Sequence, residues 1–240
     1  MALGAVPLAA CDSESRPAWV GPSRGGPTTS PAASPSPTRA ALPPELTHGP
    51  RDRPKVALTF HGQGEAAQVR TLLDELEKGG ARVTVLAVGS WLQAQPEMAR
   101  RILDGGHELG NHTQNHAAIA GMDATHAYAE ITACAQELKK LTGSIGSWFR
   151  PSQTQYSTAT IRAQATRAGY PTCLSYDLDS LDYTDPAATA VESAVAGGIQ
   201  NGSIVSLHFG HAVTVAAIPQ ILDRLDKRGL TPVTMTELVS

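Results

Sequence analysis

The sequence predicts an α/β domain built on parallel strands, and two observations lead to this fold class. From residue 54 onward, short apolar runs rich in β-branched residues alternate with longer segments of helical periodicity. Seven such runs occur, and strands that are separated by helices form a parallel sheet. The pattern alone leaves two architectures open, a closed barrel and an open, doubly wound sheet.

The individual elements follow from the same periodicity. Val69, Leu72, Leu73 and Leu76 fall at helical spacing, and Gly79 marks the end of that helix. Other helix boundaries are indicated by Pro96, Asp123, Asp185-Pro186 and Gly197-Gly198. The predicted strands are Val56 to Phe60, Arg82 to Val88, His107 to Asn111, Ser147 to Arg150, Thr172 to Tyr176, Ser203 to His208 and Pro232 to Thr234.

The N-terminal segment differs in composition from the rest of the chain. Residues 1–11 form a short apolar stretch that ends at Cys11 and resembles a bacterial lipoprotein signal. The positively charged residues that usually precede the apolar part of such a signal are missing. Residues 12–50 hold nine of the seventeen prolines and predict a disordered linker. We therefore expect three parts: the signal segment 1–11, the linker 12–50 and a catalytic domain at 51–240.

The net charge and the cysteines indicate which binding partners and which cellular compartment to expect. A formal net charge of −3 gives no basic excess, so we expect no nucleic-acid partner. The membrane is expected as a partner only through a lipid anchor at Cys11, which places the protein outside the cytoplasm, either anchored or secreted. We expect a monomer. Cys134 and Cys173 remain after Cys11, and the sequence does not decide whether they form a disulfide.

Histidines gather where the predicted strands end. Five of the eight follow a strand, namely His61, His112, His116, His208 and His211. The carboxyl ends of parallel strands meet at one edge, so these side chains are expected on one rim. In "NHTQNH", a helical turn would place His112 and His116 on one face, at a spacing suited to one divalent metal.

Five motifs together resemble those of the polysaccharide deacetylases, also called carbohydrate esterase family four. They are "ALTF" before a polar turn, "HELGNHTQNH", "FRPS", "YDLDSLDY" and "GSIVSLH". The resemblance implies a distorted (β/α) barrel of about seven parallel strands with helices outside. It also implies a hydrolase that removes N-acetyl groups from a GlcNAc-type cell-wall or extracellular polysaccharide with the help of a divalent metal, for which zinc is the first choice.

The resemblance also implies roles for single residues. His112 and His116 match the two ligand histidines of the family, and Arg150 matches the arginine of the third motif. Asp182 resembles the aspartate of the fourth motif, for which Asp179 is an alternative, and Tyr183 stands where tryptophan is common. His208 resembles the histidine that protonates the leaving amine.

The first motif departs from the family pattern. Where the family has two aspartates, a general base and a metal ligand, this chain has His61 and Gly62. His61 is then either the third metal ligand or the general base. Arg150 itself has a second interpretation, a structural ion pair with Asp177 or Asp179. Three functions stay open: an active deacetylase, a polysaccharide-binding relative with impaired catalysis, and an esterase or amidase with a changed substrate.

Overall fold

The computed structural model describes residues 42–240. The strands are β1 Glu45–Leu46, β2 Lys55–Gly62, β3 Thr84–Ala87, β4 Glu108–Asn111, β5 Cys173–Leu174, β6 Leu178–Asp179, β7 Ile204–His208 and β8 Thr231–Pro232. The α-helices are α1 Ala66–Lys78, α2 Gly89–Ala94, α3 Glu97–Asp104, α4 Ala124–Thr142, α5 Ala159–Arg167, α6 Ala188–Gly198, α7 Ala212–Lys227 and α8 Met235–Leu238. Two 3-10 turns cover Ile119–Gly121 and Asp182–Thr184.

The strands form an irregular parallel ring. The main path runs β4-β3-β2-β7-β6, and every pairing along it is parallel. Phe149 extends the path by bridging Asn111 of β4 to Cys173 of β5. The segment from Cys173 to Asp179 then leads from β5 into β6, which pairs with β7 at the other end of the path. The predicted distorted barrel is therefore confirmed, with β1 added beside β5 and β8 beside β2.

Strand β2 shows why the site residues face the barrel interior. Val56 and Leu58 pack outward in the core beneath the helices, whereas Ala57 belongs to a separate cluster inside the ring. Side chains alternate along a strand, so Thr59 and His61 share the inward face of Ala57. The same alternation brings His208 inward, because it is paired with His61 across β2 and β7.

One end of the ring is filled by apolar side chains. The interior cluster there includes Leu86, Leu174 and Ile204, and α8 covers it with Met235 and Leu238. These five side chains are at most 1% exposed. Apolar burial of this kind stabilises the fold. The polar side chains inside the ring lie towards the opposite end, at the carboxyl ends of the strands.

The predicted helix boundaries agree with the structure. Gly79 is the C-cap of α1, and the four apolar residues at helical spacing are buried beneath that helix. Asp123 caps α4 by accepting a hydrogen bond from the backbone N–H of His126 at 2.9 Å. Helix α6 begins at Ala188, shortly after the Asp185-Pro186 signal, and ends at Gly198.

The strand prediction was wrong at one place and incomplete at two. Instead of a strand over Ser147 to Arg150, only Phe149 makes ladder bridges. Strands β1 and β6 were not predicted, because each has only two residues and shows no periodic pattern. Phe149 is fully buried, so the apolar signal there arises from packing rather than from an extended ladder.

The predicted signal segment, residues 1–11, lies outside the described residues. Of the predicted linker 12–50, only residues 42–50 are described, and they belong to the folded unit. Strand β1 pairs with β5, and the Glu45 carboxylate accepts hydrogen bonds of 2.5 Å from the backbone and hydroxyl of Ser157. These contacts place the start of the ordered domain before residue 51.

The two cysteines within the described part of the chain are buried free thiols. Burial raises the pKa of Cys134 to about 12 and that of Cys173 to about 11, so both thiols are protonated near neutral pH.

Among residues 42–240, no helix combines the length and apolar character that crossing a bilayer requires.

Candidate metal and catalytic site

Three histidines from two strand ends converge at the barrel mouth. His61 is the penultimate residue of β2, and His112 and His116 follow β4. One ring nitrogen from each lies within 4.8 Å of the others. The predicted convergence of these imidazoles is therefore present in the structure.

His112 and His116 approach each other by a different route from the predicted helical turn. The segment after β4 is a loop in which Thr113 and His116 have left-handed backbone conformations, with φ of 68° and 54°. The Asn111 side chain stabilises this loop by accepting a hydrogen bond from the Thr113 N–H at 2.9 Å. The two imidazole centroids still lie 5.0 Å apart, so the helical interpretation was wrong although both rings reach one site.

Hydrogen bonds fix which ring nitrogens carry protons. His112 Nδ1 lies 2.9 Å from the Arg150 carbonyl, which can only accept, so His112 donates there and keeps a lone pair on Nε2. His61 Nδ1 lies 2.8 Å from that Nε2 and is therefore the donor. His61 Nε2 then accepts from the Ser206 hydroxyl at 3.0 Å and faces Arg150 Nη1 at 3.4 Å. With both histidines neutral, every contact in this network has one donor and one acceptor.

The electrostatic environment keeps the cluster uncharged. Burial, followed by the proximity of His112, holds the pKa of His61 well below its ordinary value. Burial also holds the pKa of His112 well below that value, and burial and His208 lower the pKa of His116. Neutral imidazole is the form that binds a metal or accepts a proton. The cluster is thus chemically suited to either role near pH 7.

Arg150 is buried behind His61 and forms no ion pair among the described residues. Its guanidinium donates to the Thr59 hydroxyl at 2.8 Å and to the carbonyls of Ser175 and Leu174 at 3.0 and 3.3 Å. Burial lowers the pKa of Arg150 to about 10. The interpretation of Arg150 as an ion-pair partner of Asp177 or Asp179 is wrong, because neither carboxylate lies within ion-pair distance of its guanidinium. Asp177 is bound by Arg51 at 2.6 Å, and Asp179 accepts a hydrogen bond from the Leu181 N–H.

Asp182 and His208 form a pair beside the three histidines. The Asp182 carboxylate accepts from His208 Nδ1 at 2.7 Å, from the His208 backbone at 2.8 Å and from the Thr214 hydroxyl at 2.7 Å. Burial alone would raise the pKa of Asp182, but these bonds and the nearby imidazole lower it below its usual value. Asp179, the alternative position, instead bonds to the Leu181 backbone.

The rings of His208 and His61 stack with centroids 4.2 Å apart, as expected for neighbours on one rung of β2 and β7. His211 lies farther out, with its ring centroid 6.1 Å from that of His208. The structure therefore brings five histidines to one rim, where ring contacts link them in the order His116, His112, His61, His208 and His211.

Gly62 leaves no room for a side chain. A Cβ at this position would lie 2.7 Å from the Val85 side chain and 3.0 Å from the Ala87 Cα. The Val85 side chain would have to shift, and the Ala87 backbone would be in tight contact. The absence of a carboxylate at residue 62 is therefore built into the packing of β2 against β3.

The site opens into a cavity of about 420 Å³. Its walls combine imidazoles with amide, hydroxyl and aromatic groups and one carboxylate, that of Asp179, so it suits a hydroxyl-bearing ligand. The lining residues are His61, His116, Gln153, Thr154, Gln155, Tyr176, Asp179, Tyr183 and His208.

Sequence reasoning missed several residues of the polar network. Ser206 contacts His61, and its position two residues before His208 on the inward face of β7 was a usable signal. Thr59 was detectable in the same way on β2. Thr214, which binds Asp182 from the first turn of α7, carries no comparable signal.

Comparison with known families now identifies the class. The polysaccharide deacetylase model matches residues 48–173, more than half of the chain, so the protein belongs to that family. A peptidoglycan-N-acetylglucosamine deacetylase of Bacillus cereus is 30% identical over 194 residues, which cover 79% of this chain and 90% of that protein.

Solved structures share the fold. A family 4 carbohydrate esterase of Streptomyces lividans, determined with acetate, has a TM-score of 0.69 at 28% identity and covers 74% of this chain and 91% of its own. A family 4 pseudoenzyme of Bacillus anthracis has a TM-score of 0.78 at 20% identity over 83% of this chain and 70% of its own. At that identity, the second likeness concerns the fold alone.

Proposed function

We propose that the protein is a metal-dependent deacetylase that hydrolyses N-acetyl groups on a GlcNAc-containing cell-wall polysaccharide outside the cytoplasm. Membership of the family supports the reaction class, and the Bacillus cereus relative supports the substrate class. The observation that carries the proposal is the convergence of His61, His112 and His116, with ligand nitrogens within 4.8 Å of one another.

The donor set fits a divalent cation, with zinc as the first choice. Three neutral imidazoles with an open fourth position form a known hydrolytic zinc arrangement. When bound, such a cation polarises the substrate carbonyl and lowers the pKa of water. No carboxylate belongs to this group of ligand atoms in the described chain, so a bound dication keeps its full charge.

We assign His112 and His116 as ligands and His61 as the third. His112 Nε2 already has a lone pair available for a metal, because the proton of this ring is on Nδ1, which donates a hydrogen bond to the Arg150 carbonyl. For His61 to bind through Nδ1, its proton must move to Nε2, which lies 3.0 Å from the Ser206 hydroxyl and 3.4 Å from Arg150 Nη1. Ser206 can accept this proton in a hydrogen bond, whereas Arg150 Nη1 then loses its acceptor on His61.

His208 is the proton-transfer group in this proposal. The Asp182 carboxylate holds its Nδ1–H, which orients the ring and leaves Nε2 for the substrate side. His208 lines the cavity and is suited to donate a proton to the departing amine nitrogen. Arg150 acts behind the site by presenting its charge to His61 and by fixing His112 through its carbonyl oxygen.

Metal content and acetate release test the proposal on the same samples. Wild type is expected to bind about one zinc per chain and to release acetate from N-acetylglucosamine oligomers or peptidoglycan. His112→Ala is expected to lose both, and His61→Ala to lose most of the metal. His126→Ala, in an exposed pair with Asp123, is the matched control. Bound zinc without acetate release from any of these substrates would refute the enzymatic function.

A second candidate function is polysaccharide binding without hydrolysis. It is favoured by two observations: residue 62 has no space for a ligand carboxylate, and His61 is hydrogen-bonded to the nitrogen that a metal would need. His61→Asp is expected to introduce a carboxylate facing Arg150. Activity gained by His61→Asp in an inactive protein would support this second function, whereas activity of the wild type that is lost on the change would exclude it.

A further inference from the structure

A second histidine–aspartate pair lies beside Asp182 and His208. His211 Nδ1 lies 2.8 Å from Asp185 Oδ1, and the partners are 26 residues apart, as are Asp182 and His208. The segment Leu181–Asp185, here called the lip, is therefore tied at two points, to His208 at the end of β7 and to His211 in the turn that follows it.

The lip is a short turn held in a sparsely populated conformation. The Asp185 N–H donates to the Asp182 carbonyl at 3.0 Å, so both carboxylates belong to one hydrogen-bonded turn. Leu181 and Asp185 flank it with φ of 57° and 51°. Non-glycine residues persist in this region only where their surroundings impose it. The two histidine contacts hold the turn from the β7 side.

The lip carries a wall of the cavity. Tyr183 lines the cavity, and its ring centroid lies 5.3 Å from that of His208. Tyr183 and Leu181 are each 48% exposed, which is high for large apolar side chains. An exposed aromatic ring next to a polar cavity is a surface on which a sugar ring can pack. The position of that ring depends on the lip.

We infer that Asp185 and His211 are a positioning pair that holds the lip against the cavity and thereby sets the affinity for a sugar ring packed on Tyr183. The identity of the ligand rests on the proposed function, whereas the positioning of the lip does not. His211 does not line the cavity, and its Nδ1 is bonded to Asp185, so it acts through the lip rather than on the substrate.

Four single substitutions separate the contact between Asp185 and His211 from other effects. Asp185→Ala and His211→Ala each remove the outer tie. Asp185→Asn keeps an oxygen that accepts the His211 Nδ1–H, and asparagine tolerates the left-handed conformation. His126→Ala removes a comparable exposed histidine–aspartate contact of 2.9 Å on α4, at the N-terminal end of that helix. Asp185 is largely exposed, with 66% of its side chain accessible, so these variants are expected to fold.

Hydrogen exchange of the lip amides and calorimetry with a tetramer of N-acetylglucosamine are measured on all four variants. In Asp185→Ala and His211→Ala, we expect the lip amides to exchange hydrogen faster than in wild type. We expect these two variants to bind the tetramer about two- to fivefold more weakly, which corresponds to the free energy of an exposed ion pair. Asp185→Asn and His126→Ala are expected to match wild type in both measurements, and all variants to keep the wild-type metal content.

If the lip amides of Asp185→Ala and His211→Ala exchange hydrogen at the wild-type rate, the inference is wrong. Faster exchange with unchanged tetramer affinity overturns the role in sugar binding. If wild type binds no tetramer, the proposed function fails, and the exchange data alone then decide whether the pair positions the lip.

Discussion

Asp182 Oδ1 lies 2.7 Å from His208 Nδ1, and the same carboxylate accepts two further hydrogen bonds at its other oxygen. Asp182 is fully buried. A carboxylate in this setting both orients the imidazole and satisfies donors that water cannot reach. Its removal therefore affects stability as well as chemistry.

Asp182→Ala is expected to lower the free energy of unfolding by about 3 kcal/mol, because it leaves buried donors without an acceptor. Thr214→Val removes only one of the three hydrogen bonds and is expected to cost about 1 kcal/mol. Urea unfolding of both variants measures these losses. Equal stability of Asp182→Ala and wild type would show that the pair contributes nothing to the fold.

The histidine cluster predicts a fall in stability under mildly acidic conditions. The folded-state pKa values of His61, His112 and His116 lie below the ordinary value. As pH falls below about 6.5, the unfolded chain binds protons that the folded cluster excludes, so unfolding becomes easier. Each such histidine contributes up to about 1.4 kcal/mol per pH unit.

Unfolding free energies measured between pH 7.5 and 5 in the presence of a chelator test this linkage. His112→Gln is expected to reduce the slope, while His126→Gln shows the effect of removing an exposed imidazole. A slope that is the same in His112→Gln and in wild type would contradict the lowered pKa of His112.

The sequence was sufficient for the parts of the site that follow strand alternation. His61 and His208 lie inward near strand ends because each shares a face with an interior residue four positions earlier, Ala57 and Ile204 respectively. The approach of His116 was not predictable in its details, since it depends on left-handed backbone at Thr113 and His116. Nothing local to Thr214 indicates that it binds Asp182, because that contact depends on how α7 packs.

The space around Gly62 was equally hidden from the sequence, since it is set by β3 rather than by β2. Gly62→Ala is expected to lower the free energy of unfolding by about 1–3 kcal/mol, because the new Cβ would lie 2.7 Å from the Val85 side chain. Gly62→Ala combined with Val85→Ala is expected to recover part of the loss.

Gly197→Ala is the control for this prediction, because nothing lies within 4 Å of a Cβ added there on α6. Alanine is favoured over glycine inside a helix, so this variant is expected to keep or raise the stability. Thermal and urea unfolding measure all three variants. A Gly62→Ala protein as stable as wild type would mean that β3 yields easily, and a carboxylate at residue 62 would then be admissible.

Metal binding is expected to stabilise the fold, because the three imidazoles converge only in the folded chain. At a free zinc concentration of about 100 times the Kd, the free energy of unfolding rises by about 2.7 kcal/mol. His112→Ala is expected to abolish this gain and His61→Ala to reduce it strongly, while His48→Ala, whose imidazole bonds the adjacent Gly49 carbonyl, keeps it. Chelator-treated samples titrated with zinc and unfolded in urea measure the difference. A full gain in His61→Ala would remove His61 from the ligand set and leave proton transfer as its role.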